Sequence, residues 1–256
     1  MVRVTVALFL GLMSFRSAQD LPFGVPAQDY SQEISALLKE LGPGALAQHP
    51  EVWIGPPSSD TVERVRIRLL QIAKESPSSR KSVITALIAI LINPKGDFDF
   101  GEVERWRIAV ALLGELNAKE AIDDLVRNIN WTSYNSIPHP PPPVRTALVR
   151  IGAPAVPRLL SLLSDPNELT RLEASETLGE IGEPSLDGLL EVLERAGPST
   201  RAAAAHALGL IGGAKALDAI EKALSLETEI LVREELEYAV KIMDYVECLR
   251  DTSKCK

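Results

Sequence analysis

Three histidines and thirty-five acidic residues are the side chains of this 256-residue chain from which catalytic or metal chemistry could be built. None of the histidines, His49, His139 and His206, is followed by Glu, so no H-E-x-x-H pattern exists. The chain also lacks G-x-S-x-G, G-x-x-x-x-G-K-[ST] and G-x-G-x-x-G. We therefore expect no catalytic centre, no metal site and no cofactor, and we interpret His206, which is flanked by alanines, as a packing or surface residue.

Asp97, Asp99 and Gly101 have a spacing that faintly resembles a calcium-binding loop. The remaining ligands and the closing Glu of such a loop are missing. We interpret residues 95–102 as a solvated turn.

Two cysteines, Cys248 and Cys255, lie near the C-terminus with six residues between them. In an exported protein they could form a small disulfide loop that holds the tail. The alternative is two unpaired surface thiols.

The N-terminus has the layout of a secretory signal peptide. Arg3 precedes an apolar stretch of about ten residues, Val4 to Met13, which is too short to span a membrane comfortably. The small residues Ser17 and Ala18 follow. We predict a signal peptide over 1–19, no membrane span in the mature chain, and a secreted or periplasmic (cell-envelope) location; an uncleaved signal anchor is the alternative.

The net charge of −8 and the pI near 5.1 argue against a nucleic-acid ligand, which requires clustered Lys and Arg. Aromatic residues make up only 5% of the chain, so its core must be built from aliphatic side chains. This composition suits small helix pairs better than a β-sandwich.

A repeated segment supplies the elements that would position any site. Residues 170–182 read TRLEASETLGEIG and residues 200–212 read TRAAAAHALGLIG, at a period of about 30. Periods of 20–50 residues indicate stacked supersecondary units. Alanine and leucine recur at helical spacing, while Gly182 and Gly212 follow the helix end, where a positive φ is needed. Each unit is therefore predicted to be a helix, a tight turn and a second helix.

Charged residues recur in the same segment. Arg171 and Arg201 could form an anion-binding ladder, but we favour a structural role in which each guanidinium bonds carbonyls or an acidic residue of the preceding unit. The acidic residues of the first copy are predicted to mark its solvated side; they are Glu173, Glu176, Glu180 and Glu183.

Four parts follow from the pattern along the chain: a signal peptide, 1–19; an N-terminal extension with one helix and a Pro-rich loop, 20–59; an α-solenoid, 60–248; and a tail, 249–256. A helix is predicted over 31–41, and Asp60 is predicted to cap the next one. An insertion over 130–143, NWTSYNSIPHPPPP, interrupts the period with a polyproline run. Its aromatic residues beside stiff prolines make it a candidate contact site, or a loop packed on the solenoid edge; the candidates are Trp131, Tyr134 and His139.

The motif R-x-x-A-x-x-x-L-G-x-I-G, intact in 171–182 and 201–212, resembles the HEAT-repeat family, specifically the short HEAT-like repeats of the phycobilin-lyase type. The resemblance is firm over about 102–225. It implies an all-α, armadillo-like α-solenoid of stacked antiparallel helix pairs, with a concave inner surface used for partners. It implies no single activity.

Some proteins with such repeats are enzymes. Deoxyhypusine hydroxylases bind iron through His-Glu pairs, which this chain lacks, and DNA glycosylases with HEAT-like repeats are basic, whereas this chain is acidic. Phycobilin lyases need a tetrapyrrole cleft that no residue here singles out. We therefore predict an exported, non-enzymatic scaffold that binds a protein or peptide. The alternatives are a lyase-like or accessory protein acting on a bound cofactor, and a structural module of a cell-envelope assembly.

Overall fold

The computed structural model describes residues 28–41, 58–91, 100–130 and 142–250, with only the backbone at 100–102, 249 and 250. In these ranges the chain forms twelve α-helices and no strand. The helices are α1 Ser31–Glu40, α2 Ser59–Glu75, α3 Pro77–Leu91, α4 Phe100–Glu115, α5 Ile122–Arg127, α6 Pro143–Ile151, α7 Val156–Leu162, α8 Glu168–Ile181, α9 Glu183–Arg195, α10 Pro198–Ile211, α11 Ala214–Leu226 and α12 Ile230–Arg250.

Helix pairs stack in two layers. The first helices of successive units, α4, α6, α8, α10 and α12, pack each against the next, and so do the second helices, α5, α7, α9 and α11. One buried apolar core runs between the layers from Tyr30 to Met243. The predicted all-α solenoid of antiparallel helix pairs is confirmed.

The turns inside the repeats use the predicted backbone conformation. Gly152, Gly182 and Gly212 have φ values of 70°, 79° and 69°, and each donates its N–H to the carbonyl four residues earlier. Asn117 occupies the equivalent place with φ 49°. A positive φ is disfavoured for residues with a Cβ, which is why Gly recurs here and Asn, the most tolerant alternative, replaces it once.

Close approach between first helices also depends on glycine. A Cβ built on Gly179 would lie 2.7 Å from the Cβ of Leu210, and one built on Gly209 would lie 3.0 Å from the Cα of Ala239. Real Cβ atoms essentially never approach as near as 2.7 Å, and 3.0 Å is tighter than nine in ten of their contacts. These glycines therefore keep each first helix thin enough for its neighbour to approach.

Two local predictions are wrong. The cap of α2 is Ser58, whose hydroxyl accepts the Thr61 N–H at 3.2 Å, and not Asp60, which lies inside the helix. Glu173 is not on the solvated side: it is 6% exposed, because its position on α8 faces α6 and not the solvent. Helical periodicity identifies the core stripe, but it does not distinguish a flank that meets a neighbouring helix from one that meets water.

Candidate partner-binding face

The solvent-facing surface of α8, α10 and α12 carries most of the exposed large apolar side chains among the described residues. Side contacts fix the orientation of α8, because Glu173 meets Arg145 of α6 and Gly179 meets Leu210 of α10. Between these two flanks, on the side away from the core, α8 presents Leu169 and Leu172. We call this surface of α8, α10 and α12 the outer face.

Helix α12 contributes an apolar stripe to the outer face. Its core side consists of Val232, Leu236, Ala239 and Met243. Leu231, Tyr238 and Tyr245 recur every seven residues, which is about two helical turns, and are 77%, 51% and 64% exposed. A single exposed apolar residue is ordinary, but a row of them on one helix face is typical of an interaction surface.

Helix α10 lies between these two neighbours and packs against both. Its outward positions are Ser199, Ala202 and His206, and Ala202 and His206 are half-buried. Since Ala202 is small and its neighbours carry exposed leucine and tyrosine, we infer from the side-chain sizes a shallow groove along α10.

His206 links α10 to α12 beside the stripe. Its Nδ1 lies 2.9 Å from Oε1 of Glu235, and its ring stacks on Tyr238 with centroids 6.2 Å apart and planes 27° apart. One side of the Tyr238 ring is thereby fixed in place. A pre-positioned aromatic ring loses little entropy when it binds a partner.

Three carboxylates converge on one guanidinium at the α6 edge of the outer face. Arg145 donates through Nη2 to Glu173 at 2.8 Å, also pairs with Glu176, and reaches Glu180 at 3.3 Å. Burial raises the pKa of Glu173, because desolvation and the two neighbouring carboxylates outweigh the attraction of Arg145. The pKa of Arg145 is also raised, against its own desolvation, since three carboxylates share it. The cluster therefore retains an excess of negative charge.

The second-helix layer has a different surface. Its charged side chains pair with one another between successive units: Arg158 with Asp123 at 3.0 Å, and Lys215 with Asp187 at 2.6 Å. Among the described residues of this layer, the only large apolar side chain that is well exposed is Leu226, at the end of α11. The contrast between the layers identifies the outer face as the candidate site.

The arginines singled out in the sequence are engaged in turns. Arg171 donates to the carbonyls of Asp165 and Pro166 at 2.8 and 3.1 Å. Arg201 donates to the carbonyl of Ala196 at 2.9 Å and, through Nε and Nη2, to Glu227 at 3.0 and 2.6 Å. Glu227 belongs to the following turn and not to the preceding unit, so Arg201 joins two successive turns.

The other residues predicted for a site lie mostly outside the described ranges. Trp131, Tyr134, His139 and Cys255 are among them, as is the whole of 1–19. Cys248 is described and is held in a disulfide; its pairing with Cys255 stays a prediction. Asn130, the first residue of the insertion, donates its side-chain amide to Oγ1 of Thr170 at 3.2 Å.

The described residues contain neither a cluster of metal ligands nor a helix suited to spanning a membrane. No group of three or more His, Cys, Asp or Glu side chains there could hold a metal ion. None of the helices described has the length and apolar character needed to cross a membrane. A cleft of about 670 Å³ between α1 and α2 contains both acidic and basic side chains, but Arg64 and Arg68 at its wall already pair with Glu40 and Glu33.

Sequence reasoning missed the outer face because its apolar residues belong to three helices distant in the chain. The seven-residue spacing of Leu231, Tyr238 and Tyr245 was the one available signal. By itself this spacing is equally typical of a buried stripe.

Stacked helix pairs with short glycine turns and a row of exposed apolar side chains define an α-solenoid repeat protein. Residues 144–197 and 156–241 match the family model of HEAT repeats, so the predicted resemblance is confirmed over 144–241. No curated protein matches the chain.

Solved structures with a similar arrangement include a designed armadillo repeat protein in complex with the peptide (KR)4, 18% identical, covering 82% of this chain and 99% of that chain, TM-score 0.33. Human deoxyhypusine hydroxylase in complex with glycerol is 18% identical, covering 84% and 97%, TM-score 0.35. The complex of CpcE and CpcF of phycocyanin lyase from Nostoc sp. PCC7120 is 17% identical, covering 90% and 100%, TM-score 0.29.

Proposed function

We propose that this protein is an exported, non-enzymatic scaffold that binds a protein partner on its outer face. The observation that carries the proposal is the exposed apolar row on α12 together with Leu169 and Leu172 on α8. Tyrosine is enriched among the residues that dominate the binding energy of protein interfaces, and the exposed leucines beside it add apolar contact area. The resemblance to HEAT repeats also implies a concave binding surface, which stays a prediction.

Export rests on the N-terminal pattern alone. Under this proposal the protein is in the secreted or periplasmic fraction, where a disulfide at Cys248 is chemically reasonable. N-terminal sequencing of the protein from its native fraction tests this: a mature chain that begins near Asp20 supports export, and an intact Met1 in the cytoplasm contradicts it.

Affinity capture tests the binding function. The mature chain from Asp20 is used as bait, and Leu172→Ser is compared with Ile67→Ser. These side chains have the same chemistry and are 42% and 44% exposed, but Ile67 lies on α2, away from the outer face. A purified partner that binds the wild type and Ile67→Ser but not Leu172→Ser supports the proposal.

Equal binding by both variants would remove the outer face from the proposal. A further bait without residues 130–143 then tests the insertion, whose aromatic residues are the sequence-based candidates. A purified protein that carries a chromophore or catalyses turnover of a bound cofactor would favour the lyase-like alternative.

A further inference from the structure

The outer face combines apolar side chains with an excess of negative charge. At its α6 edge a single guanidinium, that of Arg145, pairs with three carboxylates. At its α12 side Glu235 has the imidazole of His206 as its partner, and Glu234 is exposed on the next position of the same helix. The exposed basic residues of α12 among the described side chains are Arg233, which pairs with Glu237 at 3.9 Å, and Lys241. A partner seated here therefore meets mainly carboxylates around an apolar centre.

The shape of the face favours an elongated partner segment. Helix α10 has fourteen residues and is about 21 Å long, and the groove follows its axis between Leu172 and Tyr238. Apolar anchors stand on both sides of this groove, on α8 and on α12. An amphipathic helix fits such a groove by laying its apolar residues along the floor.

We propose that the outer face binds a positively charged amphipathic helix of another protein. This rests on the proposed function and names the chemistry of its partner. The apolar residues of that helix lie along Ala202 between Leu172 and Tyr238. Its Lys and Arg residues reach Glu176 on one side and Glu235 on the other, and its cations also stack on the exposed tyrosine rings of α12.

The probe is a labelled synthetic peptide of about 18 residues, with leucines at helical spacing and lysines at the other positions. Two matched peptides are measured beside it: an acidic twin with Glu in place of Lys, and a scrambled basic peptide of the same composition that has no apolar face. Fluorescence anisotropy with the mature chain gives the dissociation constants. The expected result is binding of the basic amphipathic peptide, with each matched peptide weaker by about tenfold or more.

Variants locate the binding. Tyr238→Ser and Leu172→Ser are expected to weaken the binding of the basic peptide by about tenfold, whereas Ile67→Ser is expected to leave its affinity unchanged. The double variant Glu176→Gln with Glu235→Gln is expected to lower the affinity for the basic peptide and to reduce the salt dependence of that affinity. The matched control, Asp187→Asn with Glu191→Gln on the second-helix layer, is expected to do neither. Circular dichroism and thermal unfolding verify that each variant is folded, which is expected because every altered side chain is at least partly exposed.

Any of four results would overturn the proposal, and the last of them leaves the proposed function standing. Equal affinity for the acidic twin means that charge does not select the partner, and equal affinity for the scrambled peptide means that an acidic protein is attracting any polycation. Equal binding by Tyr238→Ser and Ile67→Ser also overturns it, because the site is then elsewhere. If a natural partner is lost with Leu172→Ser but the basic peptide does not bind, the proposed function stands and this inference fails.

Discussion

Gly114 of α4 lies directly against the backbone of Ala147 in α6: a Cβ on Gly114 would lie 2.8 Å from the Cα of Ala147 and 3.1 Å from its Cβ. In an isolated helix Gly→Ala stabilises by about 1 kcal/mol. In this protein the overlapping atoms belong to a neighbouring helix, so steric overlap outweighs the gain in helix propensity and determines whether the substitution stabilises or destabilises the fold. We expect Gly114→Ala to destabilise the fold by about 1–3 kcal/mol.

Chemical denaturation measures this loss, and Gly197→Ala is the control. A Cβ at Gly197 would meet nothing within 4 Å, and its φ is −69°. That variant is expected to change the free energy of unfolding by less than about 0.5 kcal/mol. A gain in stability for Gly114→Ala would show that the helices separate at little cost.

The turns inside the repeats give a second prediction. Gly182→Ala is expected to cost about 1–2 kcal/mol, purely from its φ of 79°, since nothing lies within 4 Å of the added Cβ. Asn117→Gly should be neutral or stabilising, because Asn117 already has a φ of 49°. Thermal unfolding of both variants checks the pair. A destabilised Asn117→Gly would indicate that the asparagine side chain has a role of its own.

The Arg201–Glu227 pair gives a third prediction. Arg201→Met removes donors to both Glu227 and the Ala196 carbonyl and leaves a carboxylate whose side chain is 8% exposed. Glu227 keeps the backbone N–H groups of Thr228 and Glu229 as donors, so we expect a loss of stability that is smaller than for a fully buried pair but larger than for an exposed one. Arg195→Met is the control, because its pair with Glu191 is 72% and 65% exposed and contributes at most about 0.5 kcal/mol.

The stability contributed by Glu227 of the same pair is expected to fall in acid, as is usual for a carboxylate that is hydrogen-bonded in the folded state. Backbone N–H groups and Arg201 lower the pKa of Glu227 below 4.5. Its stabilisation is present above the unfolded pKa and is lost as the pH falls through the folded pKa. The difference in unfolding free energy between the wild type and Glu227→Gln should therefore shrink in acid. A constant difference from neutral pH to the acid limit would contradict this.

The stability contributed by Glu173 is expected to depend on pH in the opposite direction. Its pKa is raised above 4.5, so the folded state holds its proton more tightly than the unfolded state does. Stability from this group is fully present below pH 4.5 and is lost as the pH rises through the folded pKa. We expect the wild type to lose stability relative to Glu173→Gln over that window, by about 1.4 kcal/mol for each unit of pKa shift. Urea titrations of both proteins across this range measure it, and curves that stay parallel would contradict the raised pKa.

The fold was largely predictable from local pattern. The period of about 30 residues, the glycines at 182 and 212, and the apolar spacing each report on neighbours along the chain, which the sequence records directly. The second helices are less regular: the one after α4 consists of a 3₁₀ turn, Lys119–Ala121, followed by the short α5. Such ends depend on packing more than on propensity.

By itself the sequence determined that the protein is a helical repeat with an acidic surface, because helix periodicity, turn residues and net charge are local or additive properties. The tertiary structure decided which charges are buried and which apolar residues remain uncovered. Glu173 became buried because α6 stands beside it, and Leu172 and Tyr238 came to share a face because α10 lies between their helices. Both outcomes depend on how helices stack side by side, and no single helix encodes that arrangement.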